Sequence, residues 1–405
     1  MSVSTRWTKR VVGECLVPTS FRDKAQTQTR DYRPTGRFPV VDQGQNAIAG
    51  WTDDEAAVIR EPLPVVVFGD HSRTLKFVDF PFARGADGTQ VMVPSSDLDP
   101  LFFYYACKFI DVPARGYNRH FLQLKESMFA CPDSLDVQRD IARALRSVDR
   151  AMALEAARLA AALEIKKSAM SELFSRGLRG EAEKETEIGW VPESWDVEPL
   201  GAHHTVCSGG TPSRSNSAYW VDGEVPWIKT TEVNYCVIVR AEEHITPRGL
   251  EDSAAKLLPA GTLLMAMYGQ GVTRGKVAIL GIEAACNQAC AAIIPKDEAV
   301  LVKYLYHYLS WRYEPIRQLA HGGQQQNLNL DIVKSLPVAA PAEKAEQEEM
   351  VSILDAIDQK IDLHRKKRAV LEELFKALLH KLMTGEIDVN DLDLQALTAE
   401  EGSTA

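Results

Sequence analysis

The sequence predicts an α+β protein in which two strand-rich mixed globular domains alternate with two long antiparallel helices that form a coiled coil, as an internal pseudo-two-fold duplication. Two observations predict this fold class. Residues 138–178 align with residues 347–387 without a gap. Both stretches carry apolar residues at heptad spacing, and each follows a region of short apolar runs that end at glycines.

The heptad pattern defines one seam in each predicted helix. In the second helix the seam residues are Met350, Leu354, Ile357, Ile361, His364, Arg368, Leu371, Phe375, Leu378 and Leu382. In the first helix they are Ile141, Leu145, Val148, Met152, Glu155, Leu159, Ala162, Lys166, Ala169 and Leu173. Pro132 and Pro341 precede the helices, and Gly177 and Gly385 lie where each helix should end. About 40 residues at 1.5 Å each predict rods of roughly 60 Å.

Two charged seam residues suggest how the helices are aligned. If the helices run antiparallel with full overlap, Leu145 lies opposite Leu378 and Glu155 lies opposite Arg368. We expect Glu155 and Arg368 to form an ion pair that sets the register, because a one-heptad slip would place both charges against apolar neighbours. The alternative is that both side chains extend to water.

The repeat divides the chain into five predicted segments. These are a globular domain over residues 1–132, a helix over 133–180, a second globular domain over 181–337, a second helix over 338–392 and an acidic disordered tail over 393–405. The tail is predicted because residues 386–405 contain six acidic residues and no basic one, a composition that favours solvation over packing.

Composition limits the class of protein. The 405 residues are 45% hydrophobic, which suits two or three domains with cores of their own. No run approaches the roughly 18 apolar residues of a membrane span, and the N-terminus lacks a signal-peptide core, so we expect a cytoplasmic protein. The seven cysteines form no Cys-x-x-Cys pair, which predicts small buried hydrophobes and no disulfide or metal site.

Three segments resemble catalytic or metal-binding motifs, but each lacks residues that its motif requires. Residues 271–276 resemble a phosphate-binding loop, but the glycine spacing is one residue short and Val277 replaces the magnesium-binding hydroxyl. The run Glu164-Ile165-Lys166 lies in the first predicted helix, where a nuclease-like strand geometry is unavailable. His203 and His204 have no Cys or carboxylate at ligand spacing, so we interpret them as surface or capping histidines. The chain is predicted to have no catalytic residue.

The two globular domains carry different polar loops after similar apolar runs. Residues 65–69 and 263–269 both end at or near a glycine, as buried strands that enter loops do. Residues 71–76 and 270–276 then differ in almost every side chain. One scaffold with two loop chemistries is what recognition of two different targets requires.

Several motifs resemble the specificity subunits of type I restriction-modification systems. Residues 187–195 read Glu-Ile-Gly-Trp-Val-Pro-Glu-Ser-Trp, and residues 209–213 read Gly-Gly-Thr-Pro-Ser. Residues 38–45 read Phe-Pro-Val-Val-Asp-Gln-Gly-Gln, and residues 382–387 end the second helix as Leu-Met-Thr-Gly-Glu-Ile. The resemblance covers roughly residues 30–390. The first half lacks a Gly-Gly-Thr-Pro loop, which leaves residues 1–36 less securely aligned.

The resemblance implies a non-catalytic subunit that reads a bipartite, asymmetric sequence in double-stranded DNA. Each globular domain would be a target-recognition domain, and the helices would fix the spacing between two neighbouring major grooves, ~34 Å apart. Two methyltransferase subunits and the restriction and translocase subunits would be its protein partners. S-adenosylmethionine, ATP and magnesium would be bound by those partners and not by this chain.

Candidate DNA contacts are polar loop residues that can fork onto base edges or hold phosphates. They are Gln43, Gln45, His71, Arg73, Lys76, Arg214, Lys229, Gln270, Thr273, Arg274, Lys276, Gln324 and Gln325. The formal net charge of −10 predicts that the chain alone binds DNA weakly, because phosphate neutralisation supplies most non-specific affinity. The same acidic balance leaves an alternative open, a coiled-coil scaffold whose globular ends bind proteins and not DNA.

Overall fold

The computed structural model describes residues 6–21, 23–86, 88–114, 120–269, 272–319 and 327–392. The chain forms two compact units. Unit 1 comprises the described parts of Met1–Ala157 and Arg365–Ala405, and unit 2 comprises those of Arg158–His364. The division falls within the long helices and not at their ends. The five predicted segments therefore remain a prediction from the sequence.

Unit 1 contains three sheets and short helices ahead of the first long helix. Its strands are β1 (Trp7–Val11), β2 (Phe38–Val41), β3 (Gly50–Thr52), β4 (Val58–Ile59), β5 (Val65–Gly69), β6 (Leu75–Val78), β7 (Phe82–Arg84), β8 (Thr89–Met92) and β9 (Met128–Pro132). Its helices are α1 (Pro100–Phe109), α2 (His120–Glu126), the first part of α3 (Leu135–Arg176) and the last part of the second long helix, α9 (Lys344–Thr384). The strand orders are β1-β9, β3-β2-β7-β4 and β6-β5-β8.

Unit 2 has more strands and includes the start of the second long helix. Its strands are β10 (Glu183–Thr186), β11 (Gly189–Pro192), β12 (Trp195–Pro199), β13 (His204–Ser208), β14 (Val225–Ile228), β15 (Val237–Ile238), β16 (Glu243–Ile245), β17 (Leu263–Ala266), β18 (Val277–Leu280), β19 (Ala285–Cys286), β20 (Cys290–Pro295) and β21 (Pro337–Pro341). Its helices are the last part of α3, then α4 (Leu200–His203), α5 (Pro247–Glu251), α6 (Val302–Trp311), α7 (Tyr313–Gln318), α8 (Leu330–Lys334) and the first part of α9 (Lys344–Thr384). The strand orders are β10-β11, β12-β21, β13-β20-β17-β18-β15 and β16-β14-β19.

The two units repeat the same strand connections. In unit 1, β2 pairs in parallel with β7, with Val40 opposite Ala83. In unit 2, β14 pairs in parallel with β19, with Trp227 opposite Ala285. A central hydrophobic strand lies between two antiparallel neighbours in both units, β5 between β6 and β8, and β17 between β18 and β20. The predicted mixed helix and strand architecture is confirmed.

In each unit, a strand that contains a tryptophan packs against the end of a long helix. β1 pairs with β9 and β12 pairs with β21, so each closing strand is bonded to the strand that leads into a long helix. The helices end at Gly177 and Gly385, which both have positive φ. A Cβ atom at Gly177 would lie 3.2 Å from Trp195, and one at Gly385 would lie 3.2 Å from Trp7. Glycine is favoured at both ends because other residues rarely adopt the left-handed backbone and because a Cβ atom would press against the indole ring.

The heptad seams form helices as predicted. α3 has 42 residues and α9 has 41, and neither contains a glycine or proline that would interrupt it. Leu145, Val148 and Leu378 share the unit 1 core, whereas Leu173 and Leu354 share the unit 2 core. Burial of these apolar faces, more than helix propensity, stabilises helices of this kind.

The predicted ion pair between Glu155 and Arg368 is wrong. Glu155 is buried, but the side chain of Arg368 is 48% exposed and its Nε atom donates to Glu372 Oε1 at 2.8 Å. Glu372 lies one turn further along α9. Arg368 therefore pairs with a carboxylate of its own helix and stays exposed to solvent. The seam is therefore interrupted at this position of α9.

Contacts within unit 2 show that its helix segments run antiparallel. Lys166 Nζ donates to Asp358 Oδ1 at 2.6 Å, and the backbone N–H of Leu178 donates to Glu346 Oε1 at 2.8 Å. The later residue, Leu178 just after the end of α3, contacts the earlier residue of α9, which confirms the antiparallel order within this unit.

The cysteines form no disulfide. Cys15, Cys107, Cys131, Cys286 and Cys290 are buried, as predicted, and Cys207 is half-buried. Cys236 is exposed, so the prediction of burial is wrong for this residue, which lies in the loop before β15.

Candidate nucleic-acid interface

Four loops of unit 2 meet and form one polar surface. They are residues 209–214, 229–235, 267–276 without 270–271, and 287–289, and we call them the unit 2 loop cluster. Gly210 N donates to Cys286 O at 2.9 Å, and Met267 N donates to Ala289 O at 2.8 Å. Lys276 Nζ donates to Asn234 Oδ1 at 2.8 Å. These bonds join each loop to a neighbour, so their side chains are presented together.

Arg214 and Lys229 lie at one side of this cluster, where acidic side chains neutralise their charges. The Arg214 guanidinium lies 3.7 Å from the Trp220 ring centroid and donates to Glu243 at 2.5 Å. Lys229 Nζ contacts Glu242 at 2.7 Å and Glu243 at 3.1 Å. The hydrogen bond from Arg214 lowers the pKa of the Glu243 carboxyl below its ordinary range. Two cations thus face two carboxylates, so a phosphate would have to displace existing partners.

Lys276 lies on the hairpin between β17 and β18 beside an aromatic pair. Its ammonium lies 5.6 Å from the Tyr235 ring centroid, and Tyr235 packs edge-on against Tyr313 at 6.0 Å. Burial raises the pKa of Tyr235 above its ordinary value. Thr273 is half-buried on the same hairpin. This side of the cluster presents a cation whose bonded partner, Asn234, is uncharged.

Arg274 lies inside the hairpin. Only 8% of its surface is exposed, and Gly275 next to it has φ +88°. Burial of this guanidinium favours support of the loop over direct contact with a base edge. Gln270, Gln324 and Gln325 lie outside the described residues, so their proposed contacts remain predictions.

The turn between β5 and β6 is the corresponding surface of unit 1. Gln43 Oε1 accepts from His71 N at 3.2 Å, and Gln43 O accepts from the Ser72 hydroxyl. Arg73 has φ +61°, and its NH1 donates to Val112 O at 2.8 Å. His71 and Arg73 are exposed. Gln43 therefore braces the turn that presents His71 and Arg73.

Asp70 ties the same turn to α2. Its Oδ1 accepts from Phe121 N at 2.8 Å, and its backbone O accepts from His120 Nδ1 at 2.7 Å. Asp70 and His120 are both buried. Neither was singled out from the sequence, because a carboxylate that caps a distant helix leaves no local pattern.

An open groove brings two of the predicted contact residues together in unit 1. Gln45 and Arg73 line a cavity of about 430 Å³ whose other walls include Tyr104 and Lys108. Gln45 is exposed at its rim. The groove can hold an extended polar group beside a guanidinium, an ammonium and an aromatic ring.

The predicted loop position of Lys76 is wrong. Lys76 lies in β6 opposite Val67, is 8% exposed and has its Nζ 3.5 Å from Asp42 Oδ1. Burial lowers the pKa of its ammonium. The alternation of β6 turns this side chain inward, where Asp42 compensates its charge.

The histidine pair lies at the end of α4, where His204 is the C-cap residue with its Nδ1 3.3 Å from Leu200 O, as predicted for a capping histidine. The expectation that the pair has no nearby carboxylate is wrong for His203. His203 Nε2 contacts Glu198 at 2.6 Å and its Nδ1 contacts Asp297 at 2.9 Å, so it has carboxylate partners. The hydrogen bond to Asp297 raises the pKa of His203. His204 is buried, and burial lowers its pKa.

Within the described ranges, no group of three or more His, Cys, Asp or Glu side chains could hold a metal ion. No helix in the same part of the chain is long and apolar enough to cross a membrane.

Comparison with known proteins shows which proteins the chain is similar to. Residues 192–373 match the family described as Type I restriction modification DNA specificity domain. The chain is 28% identical over 356 residues to the type I restriction enzyme EcoR124I/EcoR124II specificity subunit of Escherichia coli, with 84% of this chain and 83% of that protein covered. It is 31% identical over 214 residues to the MjaIX specificity subunit of Methanocaldococcus jannaschii, with 50% and 48% covered.

The fold has solved counterparts. The type I restriction-modification S subunit from M. genitalium matches with a TM-score of 0.66 at 17% identity, over 95% of this chain and 97% of that one. A chain from a structure of type I restriction-modification complex assembly matches with a TM-score of 0.52 at 18% identity, over 94% and 98%. The chain is therefore similar in sequence, over most of its length, to a specificity subunit of a type I restriction-modification system, and its fold matches that of a solved S subunit.

Proposed function

We propose that the chain reads a bipartite, asymmetric DNA sequence, with one part recognised by each unit. The observation that carries this proposal is that the two units have the same strand connections but different side chains on the corresponding loops. The turn after β5 carries His71 and Arg73, whereas the hairpin after β17 carries Thr273 and Lys276. Two units with the same strand connections but different loop side chains suit a target whose two parts differ in sequence.

In unit 2, the basic side chains of the unit 2 loop cluster would contact DNA phosphates. Lys276 is the strongest candidate because its ammonium bonds the uncharged Asn234. Arg214 and Lys229 would exchange Glu242 and Glu243 for phosphate oxygens, at a cost that reduces their net contribution. Arg274 would support the hairpin from inside.

In unit 1, the exposed turn and groove supply the candidates. His71, Arg73 and Gln45 would face the DNA, and Arg73 or Gln45 can fork onto a base edge. Gln43 and Lys76 would hold the scaffold, Gln43 through the β5–β6 turn and Lys76 through Asp42.

The protein works in a complex with other restriction-modification subunits and DNA, and its role there is recognition and not catalysis. We assign two methyltransferase subunits to the long helices. Leu154 in unit 1 and Leu363 in unit 2 occupy equivalent repeat positions and are 41% and 51% exposed. Such equivalent exposed leucines suit one copy of the same partner at each unit. Restriction and translocase subunits would complete the complex. S-adenosylmethionine, ATP and magnesium would belong to those subunits, and the complex would act in the cytoplasm, where its DNA target lies.

A gel shift of the chain with its methyltransferase partner tests this function. The formal net charge of −10 predicts weak binding by the chain alone, so the complex is the species to assay. At fixed salt, we expect the complex to bind DNA that contains its target motif, as methylome sequencing identifies it, more tightly than random DNA. A complex that forms but binds both DNAs equally weakly would support the scaffold alternative, which the names and folds of the relatives disfavour.

A further inference from the structure

The turn between β19 and β20 lies within the unit 2 loop cluster and is held at both ends. Asn287 N donates to Ile228 O at 3.0 Å, and Asn287 Nδ2 donates to Thr230 Oγ1 at 2.9 Å. Ala289 N donates to Asn287 Oδ1 at 3.2 Å. Because β19 and β20 are buried on either side, the residue at the tip of this turn, Gln288, has a fixed backbone.

The side chain of Gln288 is also oriented. It is exposed, and its Oε1 accepts a hydrogen bond from the Thr211 hydroxyl. Thr211 follows two glycines that lie against the same turn, and a Cβ atom at Gly209 would lie 2.1 Å from Cys286 O. The close approach of this loop therefore sets the position of the hydroxyl that orients Gln288.

We propose that Gln288 is a specificity-determining residue that reads the major-groove edge of an adenine, an inference that rests on the proposed DNA-reading function of unit 2. One bond from Thr211 leaves Oε1 a second lone pair and leaves the Nε2 amide with two donors. Adenine presents an N6 amino donor and an N7 acceptor in the major groove, and the glutamine amide pairs with both. Holding the amide in place before binding lowers the conformational entropy lost on contact.

Its neighbours suit this role. Lys276 and Lys229 in adjacent loops can hold phosphates, which positions a protein on the duplex without reading sequence. Gln288 has no charge and adds nothing to counterion release. Its contribution should therefore appear in sequence discrimination and not in the salt dependence of binding.

The corresponding position of unit 1 has no amide. Gly85 N donates to Val41 O at 2.8 Å, as Asn287 N does to Ile228 O. The next residue in unit 1 is Ala86, in the position of Gln288. Only unit 2 has a forked amide at this point of the scaffold, so loss of Gln288 should affect only one part of the target.

The test uses the full chain in complex with its methyltransferase partner. Gln288→Ala is compared with Gln28→Ala, which removes an exposed glutamine of unit 1 that lies outside the long helices. Affinity is measured for DNA with the methylated motif, for every single-base substitution of it, and for random DNA. We expect Gln288→Ala to weaken cognate binding roughly 5- to 150-fold, to relax discrimination at one A·T pair, and to leave random-DNA affinity and the salt slope unchanged. Thr211→Ser should retain discrimination, and Thr211→Val should weaken it at the same base pair.

Three other results would each be decisive. Unchanged discrimination by Gln288→Ala at every base pair, or equal loss on cognate and random DNA, overturns the assignment of Gln288. A wild-type complex without preference for its motif overturns the proposed function itself. A melting temperature equal to wild type shows that Gln288→Ala is folded, as expected for an exposed side chain.

Discussion

Gln347 repeats in unit 2 the hydrogen bonds that Gln138 makes in unit 1. Gln138 accepts from Asp99 N at 2.8 Å and donates to Pro132 O at 2.9 Å. Gln347 accepts from Leu301 N at 2.9 Å and donates to Pro341 O at 3.0 Å. Each glutamine ties the first turns of a long helix to the preceding strand and to the N-terminus of α1 or α6.

Loss of this amide should destabilise a unit. Gln347 is fully buried, so Gln347→Ala leaves a backbone donor and carbonyls without partners and should lower the free energy of unfolding by about 1–3 kcal/mol. Gln359→Ala, at an exposed position of the same helix, is the matched control. Chemical denaturation measures both. Equal stability of the two variants would contradict a structural role for the buried amide.

The ion pair between Lys166 and Asp358 should stabilise the paired helix segments of unit 2. The pair is bidentate, at 2.6 and 2.8 Å, and its side chains are only 17% and 30% exposed. We expect Lys166→Met to lower stability by about 1.5–3 kcal/mol. The exposed Arg368–Glu372 pair should contribute about 0.3–0.5 kcal/mol by the same measurement.

A double-mutant cycle separates the interaction from the single losses. If Lys166 and Asp358 stabilise each other, Lys166→Met and Asp358→Leu together should cost less than the two single changes added. Strict additivity in urea unfolding would show that the contact contributes nothing of its own.

His203 should make the stability of unit 2 depend on pH. Its pKa is raised above the ordinary 6.5, first by its hydrogen bond to Asp297 and also by Glu198. The bonded imidazolium therefore stabilises the fold fully below pH 6.5 and loses this contribution as pH rises through the raised pKa. The melting temperature of His203→Gln should fall less steeply than that of wild type from about pH 6 to about pH 9. His204, whose lowered pKa acts in the opposite direction, is present in both proteins. Parallel curves would contradict the assignment.

Lys276 and Lys229 should differ in their contribution to DNA binding. Lys276→Ala should reduce affinity for cognate and random DNA by similar factors and lower the slope of log K against log salt by about 1. Lys229→Ala should change the slope less, because Glu242 and Glu243 already neutralise that ammonium. Fluorescence anisotropy of the complex across a salt series measures both. A larger effect for Lys229 would show that the two glutamates release it on binding.

The long-range pattern of the fold follows from the sequence. The heptad seams and the helix ends at Gly177 and Gly385 are confirmed, because regular burial imposes a period that the residue types reveal. Arg368 is the exception within the seam. Its long side chain reaches water and Glu372, and no periodicity records whether a charged seam residue pairs across the helices or along its own helix.

The site was less predictable than the fold. Loop composition identified the hairpin of Lys276 and the turn of His71, yet burial places Lys76 and Arg274 inside. Strand register decides which way Lys76 points, and a one-residue shift of β6 would have exposed it. Gln288 was not singled out because its orientation depends on Thr211, a residue distant in sequence that only the fold brings near.

Exchange of residues 190–335 for the equivalent region of a relative, followed by methylome sequencing, tests the central claim most directly. The exchange replaces the unit 2 loop cluster and leaves the β5–β6 turn of unit 1 unchanged. We predict that one part of the methylated motif changes to that of the relative while the other part is retained. A motif that changes in both parts, or in neither, would contradict recognition of one part by each unit.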